Sequence, residues 1–387
     1  MSAEWFDVVV VGAGPAGAIA AYELGRAGLR VALLERQALP RDKVCGGGLT
    51  PKVIGLVPFD LGPVIERAIS SIELSWRLGP STLLSSGRPL IHFVRRSRFD
   101  AFLVEKALAT GQVRLYDGVL ARAIEATAAG SRVVTSAGAF EARHVLGADG
   151  ANGIVARALG LMRDRLLLPA VECEIAVDAA TMDAWRDRAS IDVGSIAGGY
   201  GWIFPKGEHL NVGVGCFLPS AGANTQVRQY ERAHFRRWLP GAQMIARRGA
   251  VLPVRPLGAP IGKGGVMLLG DAAGLVEAFT GEGIYWALRS GLLAARAIVE
   301  AGGEDEDEAM ARYQDAIDRE LMPDLVEARR LAHVYLWWPG SVYTLPTRWP
   351  AAWRTVQALM RGERRFTDLR GLLGRPGRLI GMLPTRL

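Results

Sequence analysis

The run Asp7-Val-Val-Val-Val11-Gly12-Ala-Gly14-Pro-Ala16-Gly17 decides the fold. Its first half is a short apolar segment of β-branched residues, the pattern of a strand buried on both faces of a parallel sheet. Its second half is G-x-G-x-x-G. A helical pattern follows to about Ala27, with Gly28 as its C-terminal cap. Arg30-Val-Ala-Leu-Leu34 reads as a second strand ending at Glu35, 18 residues after the third glycine. Strand, glycine turn, helix, strand and acid together form one βαβ unit. Gly12 permits the tight turn, Gly14 lets backbone approach a pyrophosphate, and Gly17 allows helix and strand to pack closely. The helix start at Ala16 offers unpaired N–H groups and a positive dipole end to phosphates. Glu35, with Arg36 beside it, is placed for ribose hydroxyls. The unit predicts dinucleotide binding without separating NAD from FAD.

Composition bounds the rest. The chain has 387 residues, 50% hydrophobic and 22% charged, which excludes disorder and allows two or three domains. Cys45, Cys173 and Cys216 are too few and too scattered for a disulfide scaffold, and no metal site is expected. No run reaches the ~18 apolar residues of a membrane helix. The early acids Glu4 and Asp7, with no early Lys or Arg, argue against a secretory signal. The expected location is cytoplasmic, free or peripheral on the cytoplasmic membrane face. The formal charge of +7 is uneven: residues 329–387 hold eleven arginines and two acids, a net +9 that leaves −2 for residues 1–328. A near-neutral body with a basic tail is not a general nucleic-acid binder.

Later segments extend the pattern. Arg98-Phe99-Asp100 opens a helical stretch to about Ala109. Gly147-Ala-Asp149-Gly150 follows a strand ending near Leu146. Val266-Met-Leu-Leu269 leads into Gly270-Asp271-Ala-Ala-Gly274, and Thr280-Gly281-Glu282-Gly283-Ile284 opens another helix. This ordered set resembles the FAD-binding fold of the aromatic-hydroxylase-like flavoprotein superfamily. The resemblance implies that the glycines and Glu35 hold the ADP half, Asp149 lies near the pyrophosphate and Asp271 near the ribityl chain. It also places the helix from Gly281, Gly283 and Ile284 with its dipole toward the flavin, where it favours the anionic reduced form. Arg98 starts a helix, where a cation is unfavourable without a reason. A phosphate or a flavin carbonyl supplies one.

Two further segments are more specific. Pro40-Arg-Asp-Lys43-Val-Cys45-Gly46-Gly47-Gly48 resembles the P-x-x-K-x-C-G-G segment of the geranylgeranyl reductase family. Tyr200-Gly-Trp202-Ile-Phe204-Pro205-Lys206 resembles its Y-x-W-x-F-P motif. Members saturate double bonds in prenyl chains of lipids, chlorophylls or quinones with reduced FAD, so the resemblance implies that activity, with NADPH or ferredoxin as external reductant. Flavin hydroxylases and halogenases share the fold and are the first alternative; an electron-transferring or non-catalytic flavoprotein is the second. The likeness covers residues 5–300, and Ala278 stands where the family often has proline.

Each candidate has two readings. Cys45, among glycines, is expected against the flavin as proton donor, tuning thiol or contact, whereas Cys173 and Cys216 read as small buried hydrophobes. Tyr200, Trp202 and Phe204 share one strand face, lining either a core or an apolar substrate cavity, and Tyr200 stands with Cys45 and Glu282 as a catalytic candidate for the proton the alkene needs. Lys206 reaches either solvent or a phosphate, and the solvated turn residue is the preferred reading. Glu282 is a proton shuttle, a flavin-edge residue or, preferred here, an acid at a helix N-terminus.

The expected architecture is α/β. A discontinuous Rossmann-like FAD-binding domain (1–65, 96–165, 262–300) joins a sheet-rich, antiparallel substrate domain (66–95, 166–261) and a helical, basic C-terminal region (301–387). Gln226 to Leu239 reads as an amphipathic helix, and Glu304 to Glu308 as a solvated acidic cap. Trp337, Trp338, Trp349 and Trp353 lie among arginines. They either anchor a bilayer holding a prenylated, lipid-like substrate or pack on the body. Oligomeric state is left open.

Overall fold

The computed structural model describes residues 4–196, 198–216, 223–239, 242–372 and 383. In chain order the sheets use β1 (Glu4–Val11), β2 (Val31–Glu35), β3 (Ser71–Trp76), β4 (Ser81–Ser85), β5 (Val113–Asp117) and β6 (Gly138–Gly147). They continue with β7 (Leu166–Ala176), β8 (Arg188–Val193), β9 (Gly199–Pro205), β10 (Leu210–Cys216), β11 (Gln243–Val254) and β12 (Val266–Leu268).

β12, β6, β1, β2 and β5 lie side by side in that order, all parallel. Val8, Val9, Val10 and all of β2 are buried, as continuous apolar runs demand. The glycine turn leaves the carboxyl end of β1, Glu35 closes β2, Asp149 follows β6 and Asp271 follows β12. All four motifs therefore meet at one edge of the parallel sheet, where such folds bind ligands.

Two helices bring their N-termini to this edge: α1 (Pro15–Arg26) and, beyond α2 (Arg96–Leu108) and α3 (Ala223–Trp238), α4 (Ile284–Glu300). α1 ends at Arg26, and Gly28 adopts φ +87° just past it, as the cap reading requires. α2 begins two residues earlier than expected, at Arg96. α3 covers the amphipathic segment, with Arg228, Arg232, Arg236 and Arg237 exposed and Tyr230 and His234 buried.

The second sheet runs β11–β7–β10–β9–β8–β3–β4, antiparallel except for the β8–β3 pair. The chain then closes with α5 (Glu306–Ala316), α6 (Met322–Trp337), α7 (Gly340–Arg348) and α8 (Pro350–Arg361). Asp305 caps α5 by accepting from the Glu308 N–H at 2.9 Å, so the acidic run is a capping segment. The buried Tyr313 of α5 donates its hydroxyl to the Leu268 carbonyl at 2.8 Å, which fastens these helices to the parallel sheet. No helix among the described residues is long and apolar enough to cross a membrane.

α1 and α4 cross at backbone contact. A Cβ on Gly291 would lie 2.4 Å from the Ala16 carbonyl oxygen and 2.7 Å from Ile19 Cγ2. A Gly291→Val substitution must push the helices apart. We expect it to lower unfolding free energy by about 1–3 kcal/mol, measured by denaturant titration.

Candidate active site

At the glycine turn, Gly12 has φ +108°, and a Cβ there would lie 2.3 Å from the Ala148 carbonyl oxygen. Gly17 excludes a side chain as firmly, 1.9 Å from the Gly12 carbonyl oxygen. Gly14 is different: the nearest atom to its added Cβ is Arg41 Nη2, 3.9 Å away. The backbone of Gly14 and the uncapped start of α1 thus face open space. Asp149 borders the same cavity. It accepts the Ile154 and Val155 N–H groups at 2.5 and 3.0 Å through Oδ2, while its buried Oδ1 has no partner among the described residues. Burial raises the Asp149 pKa. An open glycine backbone at a helix N-terminus beside an orphaned buried acceptor fits the ADP and pyrophosphate half of FAD.

A buried ion-pair chain frames this cradle. The Glu35 carboxylate accepts the Ala13 N–H at 3.2 Å and Arg41 at 3.0 Å. Arg41 also reaches Asp100 at 2.7 Å, and Arg96 clamps Asp100 with two bonds of 2.7 and 2.8 Å. Burial disfavours the Arg96 charge, but Asp100 and Cys45 outweigh it and raise its pKa. Arg98, expected at the cofactor, is placed elsewhere. It is half exposed, donates to the Pro63 carbonyl at 3.2 Å and does not border the cavity. Arg96 borders it instead; with α2 starting two residues earlier, Arg98 turns outward. The i,i+4 pair Arg96/Asp100 was the signal available in the sequence.

Asp271 lies beside the entry to α4, 3.6 Å from where a Gly283 Cβ would be. Burial raises its pKa against the opposing charges of Lys43 and Arg96. Glu282 is not a lone dipole acid. It accepts from Thr50 at 2.9 Å and pairs with Lys52 at 2.5 Å, tying the G-E-G turn to the chain just after Cys45-Gly46-Gly47-Gly48. Gly281, Gly283 and Ile284 border the same cavity, as do Ala16, Arg36, Gly46 and Gly47.

Opposite stands the aromatic face of β9. Trp202 and Phe204 stack with centroids 5.8 Å apart, and Tyr200 lies 5.9 Å from Trp202. Gly46 lies against them: an added Cβ would be 3.0 Å from the Phe204 ring. Gly47, at φ +64°, would strike the Val94 carbonyl at 2.2 Å. The Cys45 Sγ accepts the Gly47 N–H at 3.3 Å and borders the cavity. Tyr200 donates its hydroxyl to the Thr280 carbonyl, and burial raises its pKa. Lys206 corrects the sequence reading: it is buried, not solvated. Its ammonium donates to the carbonyls of Gly46 and Val94 (2.9 Å to the latter), and burial lowers its pKa. Cys173 and Cys216 are buried as expected.

Cradle, cysteine loop and aromatic face share one cavity of about 990 Å³, which continues between α7 and α8 past Leu345, Trp353 and Met360. Among the described residues no His, Cys, Asp or Glu cluster could hold a metal ion.

Glu277, which sequence reasoning missed, caps the turn before Glu282. Its fully buried carboxylate accepts the N–H groups of Phe279 and Thr280 (3.0 Å to Thr280). Burial pushes its pKa up to about 7. A carboxyl raised in the folded state binds its proton more tightly there than when unfolded, so it costs stability as pH rises from about 4.5 to about 7. In urea titrations across that window, wild type should lose about 3 kcal/mol that Glu277→Gln does not.

A profile for FAD binding domains matches residues 6–199. Digeranylgeranylglycerophospholipid reductase 1 of Methanopyrus kandleri is 33% identical over 352 residues, 85% of this chain and 90% of that protein. Geranylgeranyl diphosphate reductase of Rhodobacter capsulatus is 33% identical over 323 residues, 79% of each chain. The solved structure of a geranylgeranyl bacteriochlorophyll reductase-like protein from Thermoplasma acidophilum superposes with a TM-score of 0.73 at 25% identity, covering 86% of this chain and 88% of that one. Fold, cradle and relatives agree that this chain belongs to the geranylgeranyl reductase family of FAD-dependent oxidoreductases.

Proposed function

We propose that the protein saturates isolated double bonds of a geranylgeranyl-type chain carried on a lipid-like headgroup. One observation carries this reading: the FAD cradle and a largely apolar lining belong to one continuous cavity. Ile72, Leu74, Ile91, Val356, Leu359 and Met360 line it. A branched, flexible hydrocarbon fills such a space and gains about 25 cal/mol for each Å² of apolar surface removed from water. The relatives' names differ in headgroup and share the geranylgeranyl chain, which is the part proposed for this substrate.

Reduced FAD, when bound, supplies hydride; NADPH or a ferredoxin renews it. The chain's own residues do the rest. The Arg96–Asp100–Arg41–Glu35 network fixes the cradle, and Cys45-Gly46-Gly47, supported by Lys206, forms its floor. Tyr200, Trp202 and Phe204 hold the alkene and keep water out. An isolated alkene is unpolarised, so hydride transfer also needs a proton from a placed acid.

Incubating reduced holoenzyme anaerobically with geranylgeranyl-bearing phospholipid should give products heavier by H₂ for each bond reduced. If oxygen is instead consumed in step with NADPH and incorporated into product, the protein is a hydroxylase and this reading fails.

Access from a bilayer belongs to the same proposal. Trp337, Trp338 and Trp349 are 67%, 60% and 52% exposed, unusual for tryptophan. They lie at the ends of α6 and α7, and Leu345 of α7 is both exposed and part of the cavity wall. Docking these tryptophans in the interface brings the cavity mouth to the lipid. The triple variant Trp337→Ala/Trp338→Ala/Trp349→Ala should pellet with anionic vesicles at least tenfold more weakly while retaining FAD, a cost of about 1.4 kcal/mol.

A further inference from the structure

Glu172 sits where a carboxylate is expensive to bury. It is 5% exposed on β7 and borders the cavity. Across the sheet it pairs with Gly213 of β10, which pairs with Trp202 of β9, so Glu172 and Trp202 share the cavity face. A Cβ on Gly213 would lie 2.1 Å from the Trp202 ring, so the indole occupies the space that glycine leaves.

Asn211 locks the arrangement. Its Oδ1 accepts the Trp202 indole N–H at 2.8 Å, and an indole nitrogen only donates. The amide orientation follows, so Nδ2 donates to Glu172 at 3.1 Å and to Glu174 at 3.0 Å. The Cys45 backbone N–H also favours the charged form of Glu172. The other charged groups facing it are Glu174, itself 2.5 Å from His209, and Lys206; Arg248, its cross-strand neighbour, turns to Asp42 at 3.1 Å.

The environment separates the two acids. Burial raises Glu172, and the neighbouring charge of Glu174 adds to this against Asn211, the Cys45 N–H and Lys206. Burial acts on Glu174 too, but His209 outweighs it and the pKa falls. Two carboxyls pushed in opposite directions mark an acid and its charged partner. Of the other candidates on this side, Tyr200 donates to Thr280, Glu282 is paired with Lys52, and the Cys45 Sγ accepts the Gly47 N–H.

We propose that Glu172 is the catalytic acid, its carboxyl facing the substrate alkene beside Trp202. The assignment rests on the prenyl-reductase reading. The alkene π pair takes the Glu172 proton at one carbon while hydride joins the other: two C–H bonds form, and the C=C π bond, the Glu172 O–H bond and the N–H bond of the reduced flavin that would supply the hydride break, so the alkene is reduced and that flavin would be left oxidised by two electrons. The carboxylate left behind recovers its proton from water after product leaves.

The test uses FAD-loaded wild type, Glu172→Gln and Glu172→Asp, chemically reduced without oxygen and mixed with geranylgeranyl phospholipid in micelles. Flavin reoxidation should slow by roughly 10²–10⁴-fold in Glu172→Gln and recover in part in Glu172→Asp. The wild-type rate should fall as pH rises and slow in D₂O, and both dependences should vanish in Glu172→Gln. FAD content and the flavin spectrum should not change. If Glu172→Gln runs within a few-fold of wild type, or is slow with the wild-type pH profile and isotope effect intact, the assignment is overturned and the function stands. Wild type inert toward every prenyl donor overturns both.

Discussion

Backbone runs against backbone where β1 ends, and every other part of the site is positioned from there. Gly12 lies against Ala148, Gly17 against Gly12, and Gly291 against Ala16, all closer than a Cβ permits. These contacts pull α1 and α4 to one edge of the parallel sheet with both N-termini pointing the same way. Two helix dipoles then converge on a space whose floor carries no side chain at Gly14. Acids gather around it because their charges are useful there only if fixed: Glu35 and Asp100 are held by Arg41 and Arg96, and Asp149 by backbone N–H groups. A site for a phosphate-bearing cofactor is thus built mostly from what is absent, and the charged residues hold its outline.

The second sheet repeats this logic with opposite polarity. Gly46 leaves room for Phe204 and Gly213 for Trp202, so the aromatic face comes close to the cysteine loop. Polar groups behind the rings are nearly all spoken for. Lys206 supports two carbonyls, and Asn211 serves an indole and two carboxylates. A rigid apolar wall backed by satisfied polar groups can exclude water and still present one acid, which the proposed hydride addition to a plain alkene would need.

Legibility in the sequence followed the range of the interactions. The βαβ unit, Gly28 past α1 and the Asp305 cap depend on neighbours a few residues away, and their patterns state them. Arg98 was misjudged because a two-residue shift in a helix start turns a side chain by about 200°. Lys206 looked like a turn lysine because its partners, Gly46 and Val94, lie more than a hundred residues upstream. The alternation Val171-Glu-Cys-Glu174 does put both acids on one strand face. Nothing local says that this face meets the cavity; the pairing of β7 with β10 and β10 with β9 decides it.

The basic tail shows the same gap between chain order and space. Cutting the sequence at residue 329 isolates eleven arginines, but it cuts just after Asp324 and Glu327, the acids several of them use. Arg365 reaches Asp324 at 2.9 Å, Arg330 and Arg370 both reach Glu327, and Arg329 is buried against the Arg255 carbonyl. Arg361 turns to Ser86. Arg348, Arg354 and Arg364 stay exposed. Among the described residues, much of this positive charge is therefore spent on fastening the C-terminal helices over the cavity, and less is left for attracting anionic lipid. In the proposed bilayer contact, surface attraction would then depend more on the exposed tryptophans, whose contribution scales with buried apolar area and is insensitive to salt, than on long-range charge. The same helices that close the apolar cavity carry the exposed tryptophans, so under the proposed bilayer contact fastening and access would be one design problem, met by turning some arginines inward and leaving the tryptophans outside.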